Sequence, residues 1–257
     1  MKLIYRICFF CLTSFCFAAC SKNSETVNGD PCKIMENFKI STNSPLTIGE
    51  TLTLNVPEIG GYRIYSWYGP NHFTSQYTEN SITYVNLENE GWYYATVTND
   101  ECGATTDSVY IDVKLVQGSP SCTLANNTTS YSNLNDDSFT SVQKHIESTL
   151  SLLSLEGSGG LYSNLTIYFH PFWRDAEPED GIYYTTNVPL FDQVDMNYNK
   201  VFVTTTKESI YWASAEGQKV YISHVGSKLQ VRFCDLTMGG NNGNSYTTVA
   251  SANIVEK

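Results

Sequence analysis

The chain has 257 residues, 13% aromatic and only 16% charged, with 15 Lys and Arg against 26 Asp and Glu. A formal net charge of −11 argues against a nucleic-acid partner, because neutralising phosphates requires clustered Lys and Arg. An apolar fraction of 41% excludes wholesale disorder, and the length suits two modest domains better than one.

The N-terminus reads as a targeting segment. Lys2 and Arg6 flank the start of Ile7–Phe17, an apolar run of 11 residues that is too short to span a bilayer but fits the hydrophobic part of a signal peptide. Phe17-Ala18-Ala19-Cys20 follows, and the chain turns abruptly polar at Ser21-Lys22-Asn23-Ser24. Two small residues before a cysteine, then a polar switch, resemble the lipobox of bacterial lipoproteins, with Phe17 where that family usually has Leu. The resemblance implies that residues 1–19 are a lipoprotein signal peptide, that Cys20 is acylated, and that residues 20–36 form a lipidated tether. The membrane is then a partner through the lipid anchor, at the outer membrane or cell surface, since several acyl chains hold more durably than one. Cleavage would leave 26 acids and 13 bases, a net charge of −13.

Cys8, Cys11 and Cys16 would leave with the leader, and Cys20 would take lipid. Cys32, Cys102, Cys122 and Cys234 remain, an even set that suggests two disulfides in an oxidising compartment, with three connectivities open. Chain order favours pairing Cys32 with Cys102 and Cys122 with Cys234, each pair bracketing a domain-sized segment.

From Phe38, short alternating runs are separated by turn residues, as in an antiparallel sandwich. Strands are expected at 51–56, 62–68, 81–87, 92–98 and 108–116, with Leu52, Leu54, Val109, Ile111 and Val113 facing inward. Trp67 lies 13 residues after Leu54, and Asn89-Glu90-Gly91-Trp92-Tyr93 resembles the tyrosine corner of immunoglobulin-like domains. Where that family often has a second Cys, this chain has Ala95, so the inter-sheet disulfide is absent and Cys32–Cys102 would tie the first strand to the far end. Trp67 to Ser75 further resembles a W-x-G-P-N-G-F segment of immunoglobulin-like modules in Bacteroidetes surface proteins, which together place such a domain at residues 37–116. Trp67, Trp92, Tyr93, Tyr94 and Trp212 are read as core.

Residues 117–121 are a breaker-rich linker, and 122–257 form a second all-β domain, an antiparallel sandwich or meander. Phe139, Val142, Ile146, Leu150 and Leu153 fit a helix face near 138–150, while the abundant Ser and Thr there favour strand. Later strands are expected at 165–169, 181–186, 200–206, 209–213, 219–224, 228–235 and 245–254, with tight turns at Gly217 and Gly226. These later runs resemble a C-terminal β domain of Bacteroidetes lipoproteins that carries no known activity.

No catalytic set emerges. Gly157-Ser158-Gly159-Gly160 lacks the acidic residue of a serine-protease nucleophile turn and reads as a glycine turn. Asp195–Lys200 begins like a calcium loop but has Lys200 where glycine is required. No histidine spacing suits a metal, and no cofactor is implied. The acidic loop 175–181 reads as solvated. The one segment with binding character is Trp173, Arg174, Asp175 and Glu177, where an aromatic face beside carboxylates suits a sugar. Asp107-Ser108-Val109 matches the D-[ST]-aliphatic pattern of Bacteroidetes O-glycosylation, with Ser108 outward by strand parity. The expectation is a non-catalytic envelope lipoprotein that displays a surface for a glycan or an envelope protein. A structural subunit of an outer-membrane assembly is the first alternative, and a hydrolase using the 170–181 loop the second.

Overall fold

The computed structural model describes residues 30–147, 152–160, 163–190 and 198–257. Cys20, the leader and most of the tether lie outside them. The described residues are all-β apart from one short helix, α1 (Pro31–Glu36), and two 3-10 turns. Asp30 caps α1 by accepting from the Cys32 N–H at 3.0 Å, and Pro31 starts it with φ already fixed. The last part of the expected tether is therefore ordered: Met35 is buried, and the Cys32–Cys102 disulfide fastens the helix, not a first strand, to the sandwich.

The N-terminal half contains β1 (Ser41–Thr42), β2 (Leu46–Thr47), β3 (Leu52–Asn55), β4 (Arg63–Tyr68), β5 (Thr74–Ser75), β6 (Glu79–Ile82), β7 (Gly91–Asn99), β8 (Gly103–Ile111) and β9 (Val113–Lys114). A three-stranded sheet, β1-β3-β6, faces a four-stranded one, β5-β4-β7-β8, while β2 and β9 pair in parallel. Leu52 and Leu54 from one sheet meet Tyr65, Trp67, Tyr93 and Val97 from the other, all buried. Trp67 lies directly across from Ala95, whose small side chain leaves room for the indole, and the indole N–H donates to the Tyr77 carbonyl at 2.8 Å. The buried Tyr93 hydroxyl donates to the Asn89 carbonyl at 3.1 Å, the bond that defines a tyrosine corner, and burial pushes its pKa up to about 12. Gly69 makes way for that ring, since a Cβ there would sit 2.5 Å from it. The strand expected at 81–87 stops at Ile82. Asn86 opens a 3-10 turn (Leu87–Asn89) through a reciprocal capping box instead.

The C-terminal half contains β10 (Thr128–Tyr131), β11 (Asp137–Ser138), β12 (Ser141–Glu147), β13 (Leu152–Gly160), β14 (Ser163–Phe169), β15 (Gly181–Thr185), β16 (Lys200–Lys207), β17 (Ile210–Ser214), β18 (Lys219–Val225), β19 (Lys228–Asn241) and β20 (Ser245–Val255). The helix alternative near 138–150 fails: β12 pairs with β13 from Ser141↔Ser158 to Glu147↔Leu152, and Ile146, which a helix would have buried, is exposed. Gly157 is not a turn residue either; it lies within β13, where Phe139 packs so closely that a Cβ would come within 2.9 Å of its ring. A simple meander is also corrected. β15 and β16 run parallel, and β17 pairs with both β16 and β19, so β15, β16, β17, β19 and β18 close a hydrogen-bonded ring. β19 serves both sides of that ring because a bulge between Phe233 and Leu236, with Asp235 at φ 53°, bends it. The Cys122–Cys234 disulfide attaches at this bulge.

The two halves share one apolar core. The Ile182 N–H donates to the Val116 carbonyl at 2.8 Å, and Gln117 donates to the Asp180 carbonyl at 2.8 Å. Gly181, at φ 158°, lies against Leu115, where a Cβ would approach within 2.4 Å.

A candidate binding cleft where the two halves meet

Between β14 and β15 the chain makes a 3-10 turn (Pro171–Asp175) and then an acidic loop. His170 caps the turn: its Nδ1 accepts from the Phe172 N–H at 3.2 Å, and Pro171 takes the first position. The Nδ1 lone pair is thereby in use, while Nε2 is buried without a partner, and burial lowers the His170 pKa from 6.5 to about 4. Between those two values the unfolded chain takes up a proton that the folded chain refuses. Stability is therefore expected to fall on acidification through this window, by up to about 1.4 kcal/mol per pH unit. Urea unfolding against pH checks this. His170→Asn, which keeps a capping acceptor but does not titrate, should flatten the profile between pH 6.5 and 4, and an unchanged profile would contradict it.

The turn divides the expected binding residues between two faces. Trp173 points inward: it is only 3% exposed, and its indole N–H donates to the Tyr198 carbonyl at 2.7 Å. It presents no ring face to solvent, which corrects its expected role in stacking. The available ring belongs to its neighbour Phe172, 48% exposed and stacked on Tyr198 with centroids 4.1 Å apart and planes within 7°. These rings line a cleft of about 230 Å³ together with Glu179 and the mostly buried Trp173, and the N-terminal half supplies the opposite wall from Leu87, Glu88, Glu90 and Tyr110. The Tyr110 hydroxyl donates to Glu90 at 2.8 Å, which pushes the phenol up to about 12. Burial raises the Glu179 carboxyl, and the charges of Glu90 and Asp112 raise it further. The cleft thus sets aromatic faces beside carboxylates that accept hydrogen bonds, a combination suited to the C–H faces and hydroxyls of a sugar.

Arg174, Asp175 and Glu177 lie on the other side, along an open groove of about 470 Å³ that also touches Lys144 and His145. Glu177 is engaged there. Lys144 donates to both of its oxygens at 2.7 Å, and His224 bridges Glu177 at 3.3 Å and Asp180 at 2.6 Å. Burial would raise the Glu177 carboxyl, but the Lys144 and His224 hydrogen bonds prevail and hold it below its ordinary range. This clasp fixes the loop to β12 and β18. The exposed Arg174–Asp175 pair, at 3.7 Å, adds little stability.

Elsewhere, Ser108 is exposed on β8 directly across from Tyr94, and Trp212 is buried. Trp92, read from sequence as core, is 52% exposed because it precedes the buried Tyr93 and strand alternation turns it outward. Among the described residues, no group of three or more His, Cys, Asp or Glu could hold a metal ion, and no helix is long and apolar enough to cross a membrane.

No family model matches the chain, and no curated protein matches it. Solved structures similar to it include murine CEACAM1b, at 12% identity over 84% of this chain and 99% of that one, with a TM-score of 0.28. Others are the Sidekick-1 immunoglobulin domains 1–5 (9% identity, 84% and 79% covered, TM-score 0.24) and the tandem V-type regions of the chitin-binding protein VCBP3 (12% identity, 86% and 99% covered, TM-score 0.22). At such scores these likenesses carry no argument about function, and the immunoglobulin-like character of the first half rests on its own strand order, core tryptophan and tyrosine corner.

Proposed function

We propose that this is an exported, lipid-anchored protein of the outer membrane or cell surface that binds a glycan without chemical turnover, in the cleft between its two β domains. The anchoring half of this reading rests on Phe17-Ala18-Ala19-Cys20. The binding half rests on one observation, the exposed Phe172–Tyr198 stack facing the carboxylates of Glu90 and Glu179. An envelope protein as partner is the second reading. It is favoured by the nine-residue strand β8, which lies at the edge of its sheet with one row of backbone groups unpaired by a neighbouring strand.

A glycan array probed with the detergent-solubilised full chain tests the first reading. Binding should be weakened about tenfold or more by Phe172→Ala, with thermal unfolding little changed because the ring is half exposed. Glycan binding that survives Phe172→Ala intact would remove the cleft from the account. For the anchor, Cys20→Ala should move the protein from the membrane to the soluble fraction; continued membrane retention would rule out acylation there as the attachment.

A further inference from the structure

Resting on the cleft as a glycan site, we infer that the ligand continues out of it over the outward face of β4, β7 and β8, and that it is an uncharged glycan chain, not a single sugar. Tyr110 joins the two regions. It lines the cleft and also meets Trp92, its cross-strand partner, edge to face with centroids 5.6 Å apart. Two residues along β7, Tyr94 stacks on Tyr68 of β4 with centroids 4.8 Å apart and planes within 13°. Trp92, Tyr68 and Tyr110 are 52%, 51% and 45% exposed, so a large aromatic area stands in water with nothing among the described residues covering it.

The chemistry around the rings selects the occupant. The outward positions nearest the rings are hydroxyls, Ser66, Thr96, Thr106 and Ser108; Ile64, Thr98 and Ala104 lie farther along, and no Asp, Glu, Lys or Arg takes an outward position on these three strands. In a chain of net charge −11 this is an uncharged strip. It offers no cation to an acidic glycan or a phosphate, and the carboxylates at its cleft end, Glu88, Glu90 and Glu179, repel one. Its one large aliphatic, Ile64, lies four residues along β4 from Tyr68, outside the ring cluster, so the rings lack the aliphatic filling that the centre of a protein interface uses. A neutral polyol finds both of its needs, ring faces for C–H stacking and hydroxyls for hydrogen bonds. Same-face residues along a strand are about 7 Å apart, so the Trp92 and Tyr94 clusters span more than one sugar ring.

The test compares disaccharides with the polysaccharides of the same sugar, in neutral glucan, mannan, xylan and chitin series, titrated against the detergent-solubilised full chain. Affinity should rise with chain length. Trp92→Ala and Tyr68→Ala should each weaken the polysaccharide by about two- to tenfold, and by more than they weaken the disaccharide, with thermal unfolding unchanged. Phe172→Ala should weaken both. Equal affinity for short and long chains, with Trp92→Ala silent, would overturn the extended track while leaving the cleft reading intact. No binding in any series would overturn both. Self-association that Trp92→Ala abolishes, with glycan binding untouched, would assign the face to a second copy. A sugar mass on Ser108 of the native protein would show Tyr94 already covered and would equally refute the track.

Discussion

Replacing Cys122 and Cys234 together by alanine is expected to lower the free energy of unfolding by about 4–5 kcal/mol. The bridge closes a span of 112 residues, so its loss frees a long loop in the unfolded chain, and the entropy gained there accounts for most of the effect. It also ties the start of the C-terminal half to the bulge that lets β19 pair with β18 on one side and β17 on the other. Cys32–Cys102 closes 70 residues and should be worth nearly as much by the same argument. Urea unfolding of the double variant under non-reducing conditions gives the number. A loss below about 1 kcal/mol would mean that the bridge does not constrain the unfolded chain. Intact mass should independently show two bridges, and free thiols at any of the four positions would contradict the pairing.

The second large effect concerns a charge pair inside the C-terminal half. Lys207 at the end of β16 and Asp137 on β11 form an ion pair with both side chains almost wholly buried, and the ammonium lies 5.5 Å from the centre of the Tyr131 ring. β11 and β16 are not hydrogen-bonded neighbours, so the pair connects separate parts of the sheet. Asp137→Ala would leave the buried ammonium without its carboxylate and should cost about 3–5 kcal/mol. The paired change Asp137→Leu with Lys207→Met removes both charges and should recover most of that loss, because desolvating two ions offsets much of their attraction. A single variant as stable as the parent, or a double variant no better than the single one, would show that the pair does not govern stability here.

The legible parts of the fold were those set by local chemistry. The tyrosine corner spans five residues, Asn89 to Tyr93, and its hydrogen bond runs within them. Strands β16 to β20 followed from alternation between turn signals; Gly226, at φ 67°, sits in the two-residue link between Val225 and Lys228. Chain order alone was enough to choose the disulfide pairing. What failed required tertiary information. The +3 and +4 spacing around Val142 mimicked a helix, while the backbone there had β13 as a partner. Ring closure through β17 depends on a bulge in β19 with no strong sequence mark.

The candidate site was half visible for the same reason. The 170–181 segment stood out by composition, yet consecutive Phe172 and Trp173 in a single 3-10 turn carry no period to say which one faces water. Tyr198, Glu90 and Tyr110 lie far away in the chain, and only the docking of the halves brings them to the cleft. Trp92 was a different kind of miss. Large aromatic residues are mostly buried, but strand alternation from the buried Tyr93 turns Trp92 outward.

The central claim is that both halves contribute to one binding site. Calorimetric titration of the best array ligand against the full chain, Phe172→Ala and Glu90→Gln tests it directly, because each variant alters one wall of the cleft. The account predicts that both variants bind at least several-fold more weakly while unfolding at nearly the parent temperature. Loss in one variant with full affinity in the other would place the site on a single domain and contradict a shared cleft.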